Sequence, residues 1–134
     1  MDYNQHVGID LHIHTTASDG TFTPAEVVSH ALKLKLKAIA ITDHDTLAGS
    51  SKALKGGIPP ALDFLTGVEI SAAPPPIYPR SGSFHLLGYS IRLDDLVLNQ
   101  TLEKLQQGDV AGVFQNKVEK EGLMVCGRLR FHVC

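Results

Sequence analysis

Asp10, His12, His14 and Asp19 fall within one short stretch, GIDLHIHTTASDG, over residues 8–20. Side chains alternate along a strand, so Asp10, His12 and His14 share one face of any strand this segment forms. Two imidazoles and a carboxylate converging at a strand end suit a divalent ion of the Zn, Mn or Fe kind better than Ca or Mg alone. A lone histidine in such a run is most simply a hydrogen-bonded core residue. A His-x-His pair followed by Ser18-Asp19-Gly20 is better explained by metal ligation. Asp10 would either bind the ion itself or accept the second ring N–H of a ligating histidine.

Three more groups have the same character. In ITDHDT (41–46), Asp43, His44 and Asp45 stand where an apolar run ends. Asp45 or Thr46 would serve as N-cap of the next helix, but His44 between two carboxylates is harder to explain as a plain turn. In TGVEIS (66–71), Glu69 interrupts an apolar strand. A charged Glu there costs several kcal/mol unless it is paired, metal-bound or turned to water at an edge. In SFHLLGY (83–89), His85 lies between apolar neighbours. On its own it would be a satisfied core histidine; beside the other three groups, a common site explains all four. The chain has no Ser-His-Asp arrangement, phosphate-cradling glycine loop or dinucleotide fingerprint.

The elements that must position these groups follow from the pattern. Residues 7–13, 37–42, a part of 61–71, and 84–91 are strand-like apolar runs. Residues 23–36 predict a helix with Thr23 as N-cap, Pro24 at N1 and Glu26 completing a capping box. The alternating LKLKLK at 32–37 is the end of that helix running into a strand. Residues 46–56 predict a short helix closed by Gly56 and Gly57. Residues 94–107 predict another, with Leu98, Leu102 and Leu105 on one side. The proline-rich 72–83 is a stiff loop. The order strand, helix, strand, helix, strand, strand, helix predicts an α/β fold of mostly parallel strands with helices outside and the polar groups at strand C-terminal ends.

The four groups DLHIHTTASDG, AIAITDHDT, GVEIS and FHLLGY, in this order, resemble the PHP (polymerase and histidinol phosphatase) family. Within it they are similar to metal-dependent phosphoesterases that act as nucleoside 3′,5′-bisphosphate phosphatases and 5′-to-3′ exoribonucleases. The resemblance covers residues 7–107 and leaves 108–134 as a divergent tail. It implies the N-terminal part of a distorted (β/α)7 barrel, with up to three divalent ions (Mn, Zn or Fe). Their ligands would be His12, His14, Asp19, His44, Glu69 and His85, with Glu69 bridging and Asp10 and Asp43 auxiliary. The implied chemistry is metal-assisted hydrolysis of phosphoesters of nucleotides or short RNA ends. Family members carry further ligands in a later part that this chain does not match. The alternatives are therefore an inactive metal-binding fragment, or an interaction module using the PxxP pattern at Pro76–Pro79. The helix at 24–36 would end in Gly at position 35 in the family, where this chain has Lys35.

Bulk composition agrees with one globular domain. The chain has 134 residues, 43% hydrophobic and 19% charged, and a net charge of −2. That charge gives no reason to expect duplex DNA as a partner. A phosphorylated small molecule or short oligonucleotide is expected instead, with Arg80 a weak candidate for its phosphate. Cys126 and Cys134 have no metal spacing and suit a reducing compartment. No apolar run reaches the length of a membrane span, and no leader pattern is present, so the expectation is cytoplasmic. A part-barrel would leave sheet edges open to self-association.

Overall fold

The computed structural model describes residues 8–72, 84–108 and 131–133. Among these, five strands form one sheet in the order β1 (Ile9–Ile13), β2 (Ala38–Ile41), β3 (Asp63–Ala72), β4 (Phe84–Tyr89), β5 (Phe131–Val133). β1, β2 and β3 run parallel, while β4 is antiparallel to both β3 and β5. The sheet is thus mixed, and four of the five strands point the same way. Three helices intervene: α1 (Pro24–Lys33), α2 (Ala48–Gly56) and α3 (Leu96–Gln106). None of the helices described is long and apolar enough to cross a membrane.

Local chemistry sets the helix ends. Thr23 Oγ1 accepts the Glu26 N–H at 3.3 Å and Glu26 Oε2 accepts the Thr23 N–H at 2.8 Å, which is the reciprocal capping box expected of this sequence. α1 then stops at a left-handed residue, Lys35, with φ of 56°. The Lys35 N–H reaches the Leu32 carbonyl at 3.0 Å and the Leu36 N–H reaches Ala31 at 2.9 Å, the two bonds of a Schellman ending. Lysine performs there the turn for which glycine is best suited. α2 departs from expectation at its start. Leu47 occupies the N-cap position without a side-chain cap, Thr46 Oγ1 accepts the Ala48 N–H at 3.2 Å, and Asp45 is engaged elsewhere. Asp95 caps α3 by accepting the Leu98 N–H.

All three helices lie on one face of the sheet. Val27, Val28 and Ala31 of α1 and Ala53 of α2 pack with Ile39 and Ile41 of β2 and with Leu62. Leu102 of α3 packs with Val68 and Ile70 of β3, Ile91 and Leu47. Alternation sends the intervening residue, Glu69, to the opposite face. The cross-strand partners of Glu69 and Ser71 are Leu87 and His85, so His85 stands on that same face. The sheet curls strongly: the Tyr89 hydroxyl, at the end of β4, donates to the Leu11 carbonyl of β1 at 2.9 Å although β2 and β3 lie between those strands in the sheet. β1 carries an irregularity in which three steps from Asp10 to Ile13 match two steps of β2. Such a bulge bends the strand and re-aims its side chains, and it falls between Asp10 and Ile13, the span that holds Leu11 and His12.

Arg80, the Pro76–Pro79 pattern, Cys126 and Cys134 lie outside the described residues, as does 109–130 of the expected tail.

Candidate metal centre

The curled face gathers four imidazoles around one buried carboxylate. Glu69 is 3% exposed. Its Oε2 lies 2.9 Å from His12 Nε2, 2.6 Å from His14 Nε2 and 3.6 Å from His44 Nε2. Its Oε1 lies 2.6 Å from His85 Nδ1. On the far side of His14, Nδ1 meets Asp19 Oδ1 at 2.6 Å, and His44 Nε2 is 3.7 Å from Asp19 Oδ2. The rings pack edgewise, with centroids 4.7 Å apart for His14 and His44 and 4.9 Å for His44 and His85. All six residues expected as ligands are therefore brought together. They form three overlapping groups: His12, His14 and Glu69; His14, Asp19 and His44; His44, Glu69 and His85.

The strands and the loop after β1 deliver these side chains. β1 delivers His12 and, just beyond it, His14. The residue after β2 and its Thr42-Asp43 extension is His44, which makes a parallel bridge with Glu69. β3 runs on past β2 and carries Glu69 in its middle. β4 runs the other way, so His85 enters from near that strand's N-terminal end rather than from a C-terminal one.

The donor set suits a divalent cation. A neutral imidazole has one N–H, yet both nitrogens of His14 face carboxylate oxygens at 2.6 Å. Three ring nitrogens also converge on the single oxygen Oε2 of Glu69. Either extra protons or a cation must reconcile those contacts, and four imidazoles with two carboxylates are ligands that Zn, Mn and Fe accept. Burial pushes the Glu69 carboxyl up, but hydrogen bonds from His12 and His85 and the charges of His44 and His12 outweigh it, leaving the pKa lowered. Asp19 is lowered chiefly by its hydrogen bond with His14.

The auxiliary candidates separate. Asp10 is exposed, and its Oδ1 accepts the His12 backbone N–H at 3.2 Å. Asp43 is 1% exposed and faces the loop after β1. Its Oδ1 accepts the Thr15 N–H at 2.6 Å and the Ser18 hydroxyl at 2.8 Å, and its Oδ2 accepts the Thr15 hydroxyl at 2.9 Å. Asp43 thus ties the end of β2 to the loop holding His14 and Asp19. Gly49 makes room for this, because a Cβ there would overlap Asp43 Oδ2. Thr15, Gly49 and the bond from Ser18 to Asp43 escaped the sequence reading. The run of hydroxyl residues after His14 was the available signal for Thr15 and Ser18, and nothing local marks Gly49.

A PHP domain model matches residues 10–120. The chain belongs to the PHP domain family. Among relatives of this PHP domain, a 5′-3′ exoribonuclease Rnm of Salmonella typhimurium is 35% identical over 116 residues, covering 80% of this chain and 37% of the relative. A 3′,5′-nucleoside bisphosphate phosphatase of Chromobacterium violaceum is 30% identical over 119 residues, covering 89% of this chain and 40% of the relative. Of solved structures, one from Bifidobacterium adolescentis, assigned as a metal-dependent phosphoesterase, superposes with a TM-score of 0.65 at 33% identity over 76% of this chain and 34% of its own. An amidohydrolase from Chromobacterium violaceum, with bound sulfate and no metal, gives 0.61 at 32% identity over 89% of this chain and 40% of its own. In each case the PHP domain here spans two fifths or less of the length of the protein it matches. The described fold is consistent with the N-terminal part of a PHP barrel.

Proposed function

We propose that this PHP domain holds divalent metal ions at its six-residue cluster and takes part in hydrolysis of phosphoesters of nucleotides or short RNA ends. The convergence of His12, His14, His44 and His85 on buried Glu69 carries the reading. Mn, Zn or Fe suits the donors, and up to three ions match three overlapping groups. Bound there, such ions would supply Lewis-acid activation of water and neutralise charge on a phosphate. The chain's own residues do the rest. Glu69, with its lowered pKa, remains ionised for a cation to bind. Asp19 and Glu69 hold His14 from both ring nitrogens and so fix its plane. Asp10 and Asp43 act as auxiliary groups, Asp10 on the β1 backbone and Asp43 on the loop after it. The relatives named as a bisphosphate phosphatase and an exoribonuclease support a nucleotide or RNA phosphate as substrate, with Arg80 a candidate for its anionic oxygens.

The test is metal content per chain after growth with Mn and Zn, beside a His12→Ala, His14→Ala double variant, followed by phosphate release from a nucleoside 3′,5′-bisphosphate and a 5′-phosphorylated oligoribonucleotide. Bound metal lost in the variant, with turnover in the parent, is the expected result. Bound metal without turnover favours the alternative, a metal-binding module. No metal above the variant overturns both.

A further inference from the structure

Asp45 stands one residue beyond His44, and its expected role as helix cap is unfilled. It is a non-glycine residue with φ of 51° and is 9% exposed. A buried aspartate held in the left-handed region implies surroundings that enforce that conformation.

The surroundings are the ladder between the β2 extension and β3. The Glu69 N–H donates to the Asp43 carbonyl at 3.1 Å, and the Asp45 N–H donates to the Glu69 carbonyl at 2.8 Å. In a parallel ladder the next bond runs from the Ser71 N–H to the carbonyl of residue 45. At Asp45 the chain turns left-handed and leaves the sheet for α2, and its carbonyl leaves with it. The Ser71 N–H donates instead to Asp45 Oδ1, at 2.8 Å. The side chain takes the place of its own carbonyl and extends the ladder by one bond.

The geometry points to Asp45 as the positioning residue for Glu69. It lets β2 end abruptly, so that His44 projects toward the cluster, while β3 stays clamped through Ser71. Glu69 is then held by its N–H, by its carbonyl and by the bond two residues on. That stretch of backbone carries the carboxylate on which the four imidazoles converge. Among the described residues, the Asp45 carboxylate hydrogen-bonds Ser71 and belongs to none of the three ligand groups. This inference rests on the metal-centre reading.

Substitution separates the two things Asp45 does, because asparagine keeps the acceptor and tolerates the left-handed turn, glycine keeps only the turn, and alanine keeps neither. Mn(II) affinity is measured by titration calorimetry on the chelator-treated full chain, with thermal midpoint and Ser71 amide exchange on the metal-free form. Asp45→Asn should bind within about threefold of the parent and keep Ser71 protected, while Asp45→Gly binds about 10- to 100-fold more weakly and exposes that amide. Asp45→Ala should match glycine in affinity with a lower midpoint; if it does not fold, the asparagine–glycine pair still decides. Parent-like affinity in Asp45→Gly overturns the inference and leaves the metal centre standing. A parent chain that binds neither Mn(II) nor Zn(II) in the same titration overturns the metal centre and the inference with it, whatever Ser71 shows.

Discussion

Glu69 is the side chain around which the candidate site is gathered. Its two oxygens serve four imidazoles, and both it and Asp19 hold their protons less tightly than free carboxylates do. A carboxylate whose pKa is lowered on folding stabilises the folded state above its ordinary pKa, and that contribution is lost as the pH falls through the depressed value. For Glu69 the loss begins as pH drops below the ordinary 4.5. The exposed Asp19 adds little, because water screens it. Thermal midpoints of the chelator-treated chain should therefore fall as the pH is taken below 4.5 and on through the depressed value. Glu69→Gln should flatten that fall and abolish stoichiometric metal binding; an unchanged pH profile would show that the carboxylate is not the group responsible.

At the scale of elements, the loop after β1 and the start of α2 are joined through Asp43. Gly49→Ala would push a methyl into Asp43 Oδ2, disturbing the bonds to Thr15 and Ser18. It should cost about 1–3 kcal/mol in denaturant unfolding, the range for leaving buried polar groups imperfectly paired. Metal affinity should fall as well, because His14 and Asp19 ride on that loop. Thr23→Ala at the far end of the same loop removes the capping box and should cost about 1 kcal/mol without touching metal affinity. Equal affinity losses in both variants would mean that general loosening of the loop, and not Asp43, governs the site.

At the scale of the whole molecule, β1 is an edge of the sheet among the described residues. β1 pairs with β2 alone among the described strands, and Ile9 and Leu11 on it are 59% and 37% exposed. Unpaired backbone beside apolar side chains is a template for edge-to-edge association. Light scattering at rising concentration should show oligomers, and Ile9→Lys should shift them toward monomer, since an edge charge opposes pairing; a parent chain that stays monomeric would refute this. The helix-covered side should behave as an ordinary core. Ile39, fully buried against α1 and α2, should cost about 2–5 kcal/mol when cut to alanine.

The residues of the candidate site were legible in the sequence because their signals are local. His12 and His14 have the spacing of one strand face, Glu69 and His85 interrupt apolar runs, and Thr23 with Glu26 spells its cap within four residues. The tail beyond 107 and the proline loop carry no such pattern. What the tertiary structure alone decided depends on parts distant in sequence. The reversal of β4, which brings His85 in from a strand's opposite end, follows from pairing across the 72–83 connection. The left-handed turn that makes Asp45 a ladder partner of Ser71 looks, residue by residue, like any helix cap. Gly49 matters only because a carboxylate six positions earlier folds back over it. Periodicity and residue type reveal which face a side chain takes, while the partner it meets there depends on how the sheet curls.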